Sequence, residues 1–213
     1  MKLYSIKKNS ETIIFDIDST LYTNKTYASE QIDVQIRFIA DEMNMDYKVL
    51  KKQIESYRNE EALKTGQKQS LGNTLIHFGI PLSKSIELRE KLLKPELYIK
   101  KDYRLRKVLE RLKTKYKLIT VTNNPYIPAF KTLFAIGIQD LFIDIISLDK
   151  SGVSKPHQKP FELASQETGT PWDRCISVGD RFSIDLEIPL KMGMGGILVT
   201  GVEEVYRLPE ILL

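Results

Sequence analysis

Five short runs of β-branched and aromatic residues punctuate the chain: TIIFD (12–16), KLITVTN (117–123), FIDIIS (142–147), CISVGD (175–180) and GGILVT (195–200). Their near-continuous apolar character predicts strands buried on both faces. The segments beside the last four have helical periodicity. RLRKVLERLKTKY sets Leu105, Val108, Leu109 and Leu112 on one face, and PYIPAFKTLFAIG opens on Pro125 and stops at Gly137. QKPFELASQETG and IDLEIPLKMG each run into a glycine, a usual helix stop. Strands alternating with helices imply parallel pairing through right-handed crossovers, and so an α/β fold with an open, doubly wound parallel sheet.

The stretch from Thr23 to Leu97 breaks that alternation. Ile32, Ile36, Ile39 and Met43 recur at helical spacing, followed by Val49, Ile54 and Tyr57, then Leu71, Leu75 and Ile76, and less regularly Ile86, Leu88 and Leu92. The expected organisation is a core of residues 1–22 and 98–213 with an all-helical domain, 23–97, inserted after the first strand. His77, within it, reads as a partly buried structural histidine.

Composition narrows the classes. The chain has 213 residues, of which 42% are hydrophobic and 28% charged, enough for a sizeable core without disulfides or structural metal. A net charge of +4, with lysines and arginines interspersed among acids, gives no basic stripe for nucleic acid, so no nucleic-acid partner is expected. The single cysteine, Cys175, excludes an internal disulfide and a cysteine metal cluster. No run approaches the ~18–20 apolar residues of a membrane helix, and the N-terminal segment is not a signal peptide, so a cytoplasmic protein is expected.

Candidate chemistry gathers where strands end. The first strand runs into Asp16-Ile17-Asp18-Ser19-Thr20-Leu21-Tyr22. Two carboxylates there would face the crevice in which such sheets bind ligands, although an acidic surface turn fits the same residues. Thr122 and Asn123, in VTNN, offer a hydroxyl and exposed backbone N–H groups for phosphate oxygens, or plain turn chemistry. Lys155 follows the loop SGVS and precedes a helix, where a solvated lysine is the ordinary alternative. Asp180 and Asp185, in GDRFSID, can face one cation, or can cap and complement a helix start.

Taken in order, these four segments resemble the motifs of the haloacid dehalogenase superfamily, and the resemblance runs from Thr12 to about Thr200. It implies a Rossmann-like core with a helical cap of the superfamily's first type. FDIDSTLY, and more loosely SYRNEEALKTGQKQSLGNTLIHFGIP, resemble the pyrimidine 5′-nucleotidase-like branch, with Ser19 at a position usually Asn or Gly and Gly179-Asp180 where that branch often has Asp-Asp. The resemblance implies Mg²⁺ held by Asp16, Asp180 and the backbone carbonyl of Asp18, with Asp185 binding through water or orienting the metal shell. Asp16 would attack phosphorus and Asp18 would protonate the leaving alcohol. Lys155, Thr122 and the N–H of Asn123 would hold the phosphate, and Thr20 would support the loop by hydrogen bonding.

The expected activity is Mg²⁺-dependent hydrolysis of a small phosphorylated metabolite, with a nucleoside monophosphate favoured and a sugar-phosphate or phosphoglycolate phosphatase as the alternative. A phosphomutase and a non-catalytic interaction protein rank below these, and either a monomer or a homodimer is compatible with the sequence. Tyr22 is the expected specificity residue, with Tyr57, Arg58 and Lys68 as further candidates in the insert.

Overall fold

The computed structural model describes residues 1–66 and 70–213, so Lys68 lies outside the described residues. The chain divides into two compact units, residues 1–24 with 95–213, and residues 25–94.

The first unit is built on a six-stranded sheet of order β1-β6-β5-β2-β3-β4. Its strands are β1 (Lys2–Tyr4), β2 (Thr12–Phe15), β3 (Lys117–Val121), β4 (Ile145–Ile146), β5 (Cys175–Gly179) and β6 (Gly195–Leu198). Strands β2 to β6 pair in parallel, whereas β1 pairs antiparallel with β6. The edge strand β1 is missing from the hydropathy pattern because it is only three residues long and largely exposed, so it carries no buried run. At the other edge β4 shrinks to two residues, shorter than FIDIIS suggested.

The centre of the sheet follows the apolar pattern. Every residue of β2 is buried, and Ile14 shares a core with Ile119, Val121, Ile146 and Cys175 of neighbouring strands and with Phe161 and Ala164. Residues 119 and 121 alternate correctly for one face of a pleated strand. Register decides where the chemistry falls. Phe15 lies opposite Thr120 on one side and Val178 on the other, so β2, β3 and β5 end side by side. The segments after all three therefore emerge at one sheet edge.

The second unit contains α1 (Lys25–Glu42), α2 (Tyr47–Thr65), α3 (Leu71–His77) and α4 (Leu82–Leu92). Its core joins Ile36, Ile39 and Ala40 with Leu50, Ile54, Leu71, Leu75 and Leu88. Asp46 caps α2 by accepting from Lys48 N at 2.8 Å, and Ser70 caps α3. Three residues expected on the apolar face are exposed: Met43 lies just beyond the end of α1, Leu50 carries the contact beside Val49, and Leu75 that beside Ile76. His77 is exposed rather than partly buried, and its ring stacks on Tyr57 with centroids 3.9 Å apart.

In the first unit α5 (Tyr103–Lys113) buries Leu105, Val108, Leu109 and Leu112 as its spacing predicts. Helix α6 (Tyr126–Ile136) ends on Gly137, whose φ of 85° is the left-handed geometry a C-cap glycine supplies cheaply. Beyond α7 (Leu148–Ser151) and α8 (Lys159–Thr168), a π-helical turn (Phe182–Leu186) leads into α9 (Glu187–Lys191). Two short helices, α10 (Val202–Val205) and α11 (Leu208–Leu212), close the described chain. Among the described residues no helix is long and apolar enough to cross a membrane.

The turn after β2 is strained. Ser19 has φ 60°, a region costly for any residue with a Cβ unless its side chain helps, which is why Asn or Gly suits this position. Ser19→Gly should stabilise the protein by about 0.5–1 kcal/mol, raising the thermal midpoint by roughly 1–4 °C in a scanning calorimeter. An unchanged or lower midpoint would mean the turn carries no strain.

Candidate active site

The sheet edge gathers the candidate residues around one buried lysine. Lys155 is 3% exposed, and its ammonium donates to Asp16 Oδ1 at 2.6 Å, Asp185 Oδ1 at 2.7 Å and the Val121 carbonyl at 2.9 Å. Three N–H donors thus meet three acceptors, which is what a buried ammonium requires. The loop that delivers Lys155 is clamped by Asn123. Its side chain accepts from Lys155 N at 2.7 Å and donates to Lys155 O at 3.2 Å. This clamp was not visible in the sequence, where VTNN reads equally as turn chemistry.

Asp16 sits at the end of β2, held by its own N–H on Val178 O at 2.9 Å, and Thr20 Oγ1 approaches its Oδ2 at 3.4 Å. Asp18 lies in the following turn. Asn124 Nδ2 donates to its Oδ2 at 2.8 Å and the Tyr22 hydroxyl donates to its Oδ1. Thr122 Oγ1 accepts from Asn124 N at 3.1 Å, closing the turn after β3. Asp185, within the π-helical turn, accepts from Arg181 N at 3.0 Å, and its carbonyl accepts from Ser177 Oγ at 2.7 Å. Such π turns recur where a functional side chain must be re-aimed.

Gly179 makes room for this arrangement. A Cβ there would stand 2.3 Å from Asp185 Cβ and 2.5 Å from its Cγ. A side chain at 179 would push Asp185 off Lys155, and with this backbone the Asp-Asp variant of the motif does not fit.

Charge at the site favours a cation. Asp16, Asp180 and Asp185 each offer a carboxylate oxygen within 4.8 Å of the others. Asp180 Oδ1 is buried without a hydrogen bond, and Arg181 Nε stands 3.6 Å from it. Burial pushes the Asp16 carboxyl up to about 7 against the opposing pull of Lys155, and burial likewise raises Asp180. For Lys155 burial acts downward, but Asp16 and Asp185 outweigh it and hold the ammonium charged above its ordinary value. An all-oxygen set with one orphaned carboxylate oxygen fits Mg²⁺. The side chain of Asp18 is outside that cluster, because both its oxygens face Tyr22 and Asn124.

Residues 11–193 match the family model of haloacid dehalogenase-like hydrolases. The chain belongs to that family. It is similar to the glyceraldehyde 3-phosphate phosphatase of Methanothermobacter thermautotrophicus, 27% identical over 89% of this chain and 85% of that protein. The enzyme of the same name from Methanocaldococcus jannaschii is 24% identical over 85% and 81%. Among solved structures, the HAD-hydrolase YfnB of Bacillus subtilis bound to magnesium superposes with a TM-score of 0.61 at 17% identity, covering 94% of this chain and 99% of that one. That likeness is one of fold.

The residues brought together in this hydrolase are thus Asp16, Lys155, Asp180 and Asp185, with Thr122, Asn123 and Asp18 alongside. Sequence reasoning placed Asn124, Gly179 and Arg181 within the motifs but gave none of them a role in the site. Arg181 is an exposed side chain whose guanidinium, despite partial desolvation, is held charged by Asp16, Asp185, Asp180 and Asp18. Its position inside GDRFSID was the only signal, and a helix-start arginine gives the same one.

Two outcomes are expected. Gly179→Ala should weaken Mg²⁺ binding in calorimetric titration by about tenfold or more, while far-ultraviolet dichroism stays unchanged, since one displaced ligand or its support typically costs that much. Unaltered binding would mean Asp185 relaxes freely. The raised Asp16 and Asp180 carboxyls bind protons at a pH where the unfolded chain has lost them, so metal-free stability should fall as pH rises from about 4 through about 7. Because ligation requires the ionised carboxylates, the midpoint increase caused by Mg²⁺ should be larger near pH 8 than near pH 5. A pH-independent increase would remove these two acids from the cation site.

Proposed function

We propose that this phosphatase of the haloacid dehalogenase-like family hydrolyses the phosphomonoester of a small sugar phosphate, of triose size, through an aspartyl-phosphate on Asp16. The observation that carries the reading is the buried Lys155 bridging Asp16 and Asp185 beside the orphaned Asp180 oxygen. A phosphate monoester repels a carboxylate nucleophile, so the site must offset negative charge and hold the attack in line. Lys155 does the first while fixing Asp16 by a charge-assisted bond.

Each residue then has a task. Asp16 forms a bond to phosphorus as the bond to the leaving oxygen breaks. Asp18 delivers a proton to that oxygen and later takes one from the water that hydrolyses the acyl phosphate, releasing Asp16 and orthophosphate. The same acid argues against dehalogenation, since a halide leaves without a proton. Thr122 and the N–H of Asn123 hold phosphoryl oxygens, Lys155 supplies a fixed positive charge beside them, and Arg181 adds positive charge at the rim. Asp16, Asp180 and the backbone carbonyl of Asp18 would hold Mg²⁺, with Asp185 orienting the group through Lys155. When bound, Mg²⁺ would supply further charge stabilisation to the transferring phosphoryl group.

The nucleoside monophosphate reading gives way to the sugar-phosphate one on two grounds. The similar enzymes from both archaea are named for glyceraldehyde 3-phosphate. Tyr22, the ring expected to stack on a base, is 7% exposed and directs its hydroxyl at Asp18. The nucleotidase-like branch is further disfavoured by the space required at Gly179.

In Mg²⁺, kcat/KM for a triose or comparably short sugar phosphate should exceed that for nucleoside monophosphates by roughly tenfold or more, a difference of ~1.4 kcal/mol in transition-state binding. Better turnover of a nucleotide would overturn the substrate class. Asp16→Asn should cut kcat by roughly a thousandfold or more without unfolding, the scale seen when a nucleophile is removed. Retention of a tenth of the wild-type rate would end its role.

A further inference from the structure

The hydrogen bonds around Asp18 do more than satisfy buried groups. Its two carboxyl oxygens meet donors of different kinds from different loops: Asn124 Nδ2 on Oδ2 at 2.8 Å and the Tyr22 hydroxyl on Oδ1. Resting on the phosphatase reading, we propose that Tyr22 and Asn124 are positioning residues that fix the orientation of Asp18 and single out Oδ1 as the oxygen exchanging a proton with substrate.

The argument follows from what each donor can do. An amide Nδ2 has hydrogens and no available lone pair, so it can only donate. The oxygen it faces must accept in both protonation states, and a carbonyl oxygen accepts better than the hydroxyl oxygen of a carboxylic acid, so this N–H favours the proton on Oδ1. The Tyr22 hydroxyl can donate or accept, so it tolerates Oδ1 with or without a proton. A carboxyl group that gains and loses one proton per turnover can therefore keep both contacts if Oδ1 carries the proton. As the leaving P–O bond breaks, its electron pair takes the proton from Oδ1. In the second step Oδ1 takes a proton from the attacking water while the Asp16–phosphorus bond breaks.

Both donors are themselves held. Asn124 N donates to Thr122 Oγ1 at 3.1 Å and Asn124 O accepts from Leu148 N at 3.0 Å, so the residue is tied on both sides. Leu21, next to Tyr22, is locked by its N–H on Ile17 O at 3.0 Å, and the Tyr22 ring is buried. Asp18 is thus oriented from the end of β3 and from its own turn together, and a small misorientation of an acid can cost a large factor in rate. Tyr22 consequently moves from the expected specificity role to one exerted through Asp18.

The test compares Asp18→Asn, Tyr22→Phe and Asn124→Ala, with Tyr22→Phe also combined with Asp18→Asn, on glycerol phosphate and nitrophenyl phosphate in Mg²⁺. A general acid matters most for a basic leaving group. Tyr22→Phe and Asn124→Ala should each lose about tenfold more kcat on glycerol phosphate than on nitrophenyl phosphate, in the same sense as Asp18→Asn. Adding Tyr22→Phe to Asp18→Asn should change the rate by less than about twofold, because residues acting as one unit are not additive. A merely structural role predicts equal losses on both substrates and additivity, and either result overturns the inference. Asn124→Ser replaces Asn124→Ala if the latter does not fold. A split by Asp18→Asn without one by Tyr22→Phe or Asn124→Ser refutes this inference alone. No split by Asp18→Asn removes the general-acid role of Asp18 and this inference with it, whereas no hydrolysis by the wild type refutes the phosphatase reading itself.

Discussion

The site depends on burying one ammonium group. Lys155 can leave water only because Asp16, Asp185 and the Val121 carbonyl accept hydrogen bonds from its three N–H groups. Breaking such a buried cluster from one side costs about 3–5 kcal/mol, since the remaining charges stay desolvated and unpaired. The three acceptors come from the ends of β2 and β3 and from the turn after β5, so the same bonds tie three adjacent segments of the sheet edge. The nucleophile candidate and the cation site are thereby held by the charge that would serve phosphate.

Around that centre the backbone accepts unfavourable geometry. Ser19 occupies the left-handed region, Gly179 leaves no room for a Cβ, and a π turn carries Asp185. Such departures from ordinary turn geometry cost stability, and the last two together set where the Asp185 carboxylate lies. Clustering of such costs at one sheet edge, while the strands behind it pack conventionally, is what a functional site on an α/β scaffold produces.

The chemistry and its substrate have different physical sources. The proposed phosphoryl chemistry needs carboxylates, a cation and hydrogen-bond donors, all supplied by strand ends. Recognition of the rest of a metabolite needs other contacts, which these residues do not make. This is why the motifs point to the family while the choice between a nucleotide and a sugar phosphate turns on relatives at 24–27% identity and on the engagement of Tyr22.

Much of this was legible in the chain itself. Five buried strands, the helical insert and the order of Asp16, Thr122, Lys155 and Asp180 are local patterns, because burial and periodicity leave their mark residue by residue. The edge strand β1 left none, being short and exposed. The exposure of Met43, Val49 and Ile76 also escaped the pattern, since neighbouring residues compete for the same face. The clamp of Asn123 on Lys155 joins residues 32 positions apart, and Asn124 reaches Asp18 across 106. No local signal separates such residues from ordinary turn formers. The amino-acid sequence determined which groups stand at the strand ends; the tertiary structure decided which of them touch, because register alone brings the ends of β2, β3 and β5 to one edge.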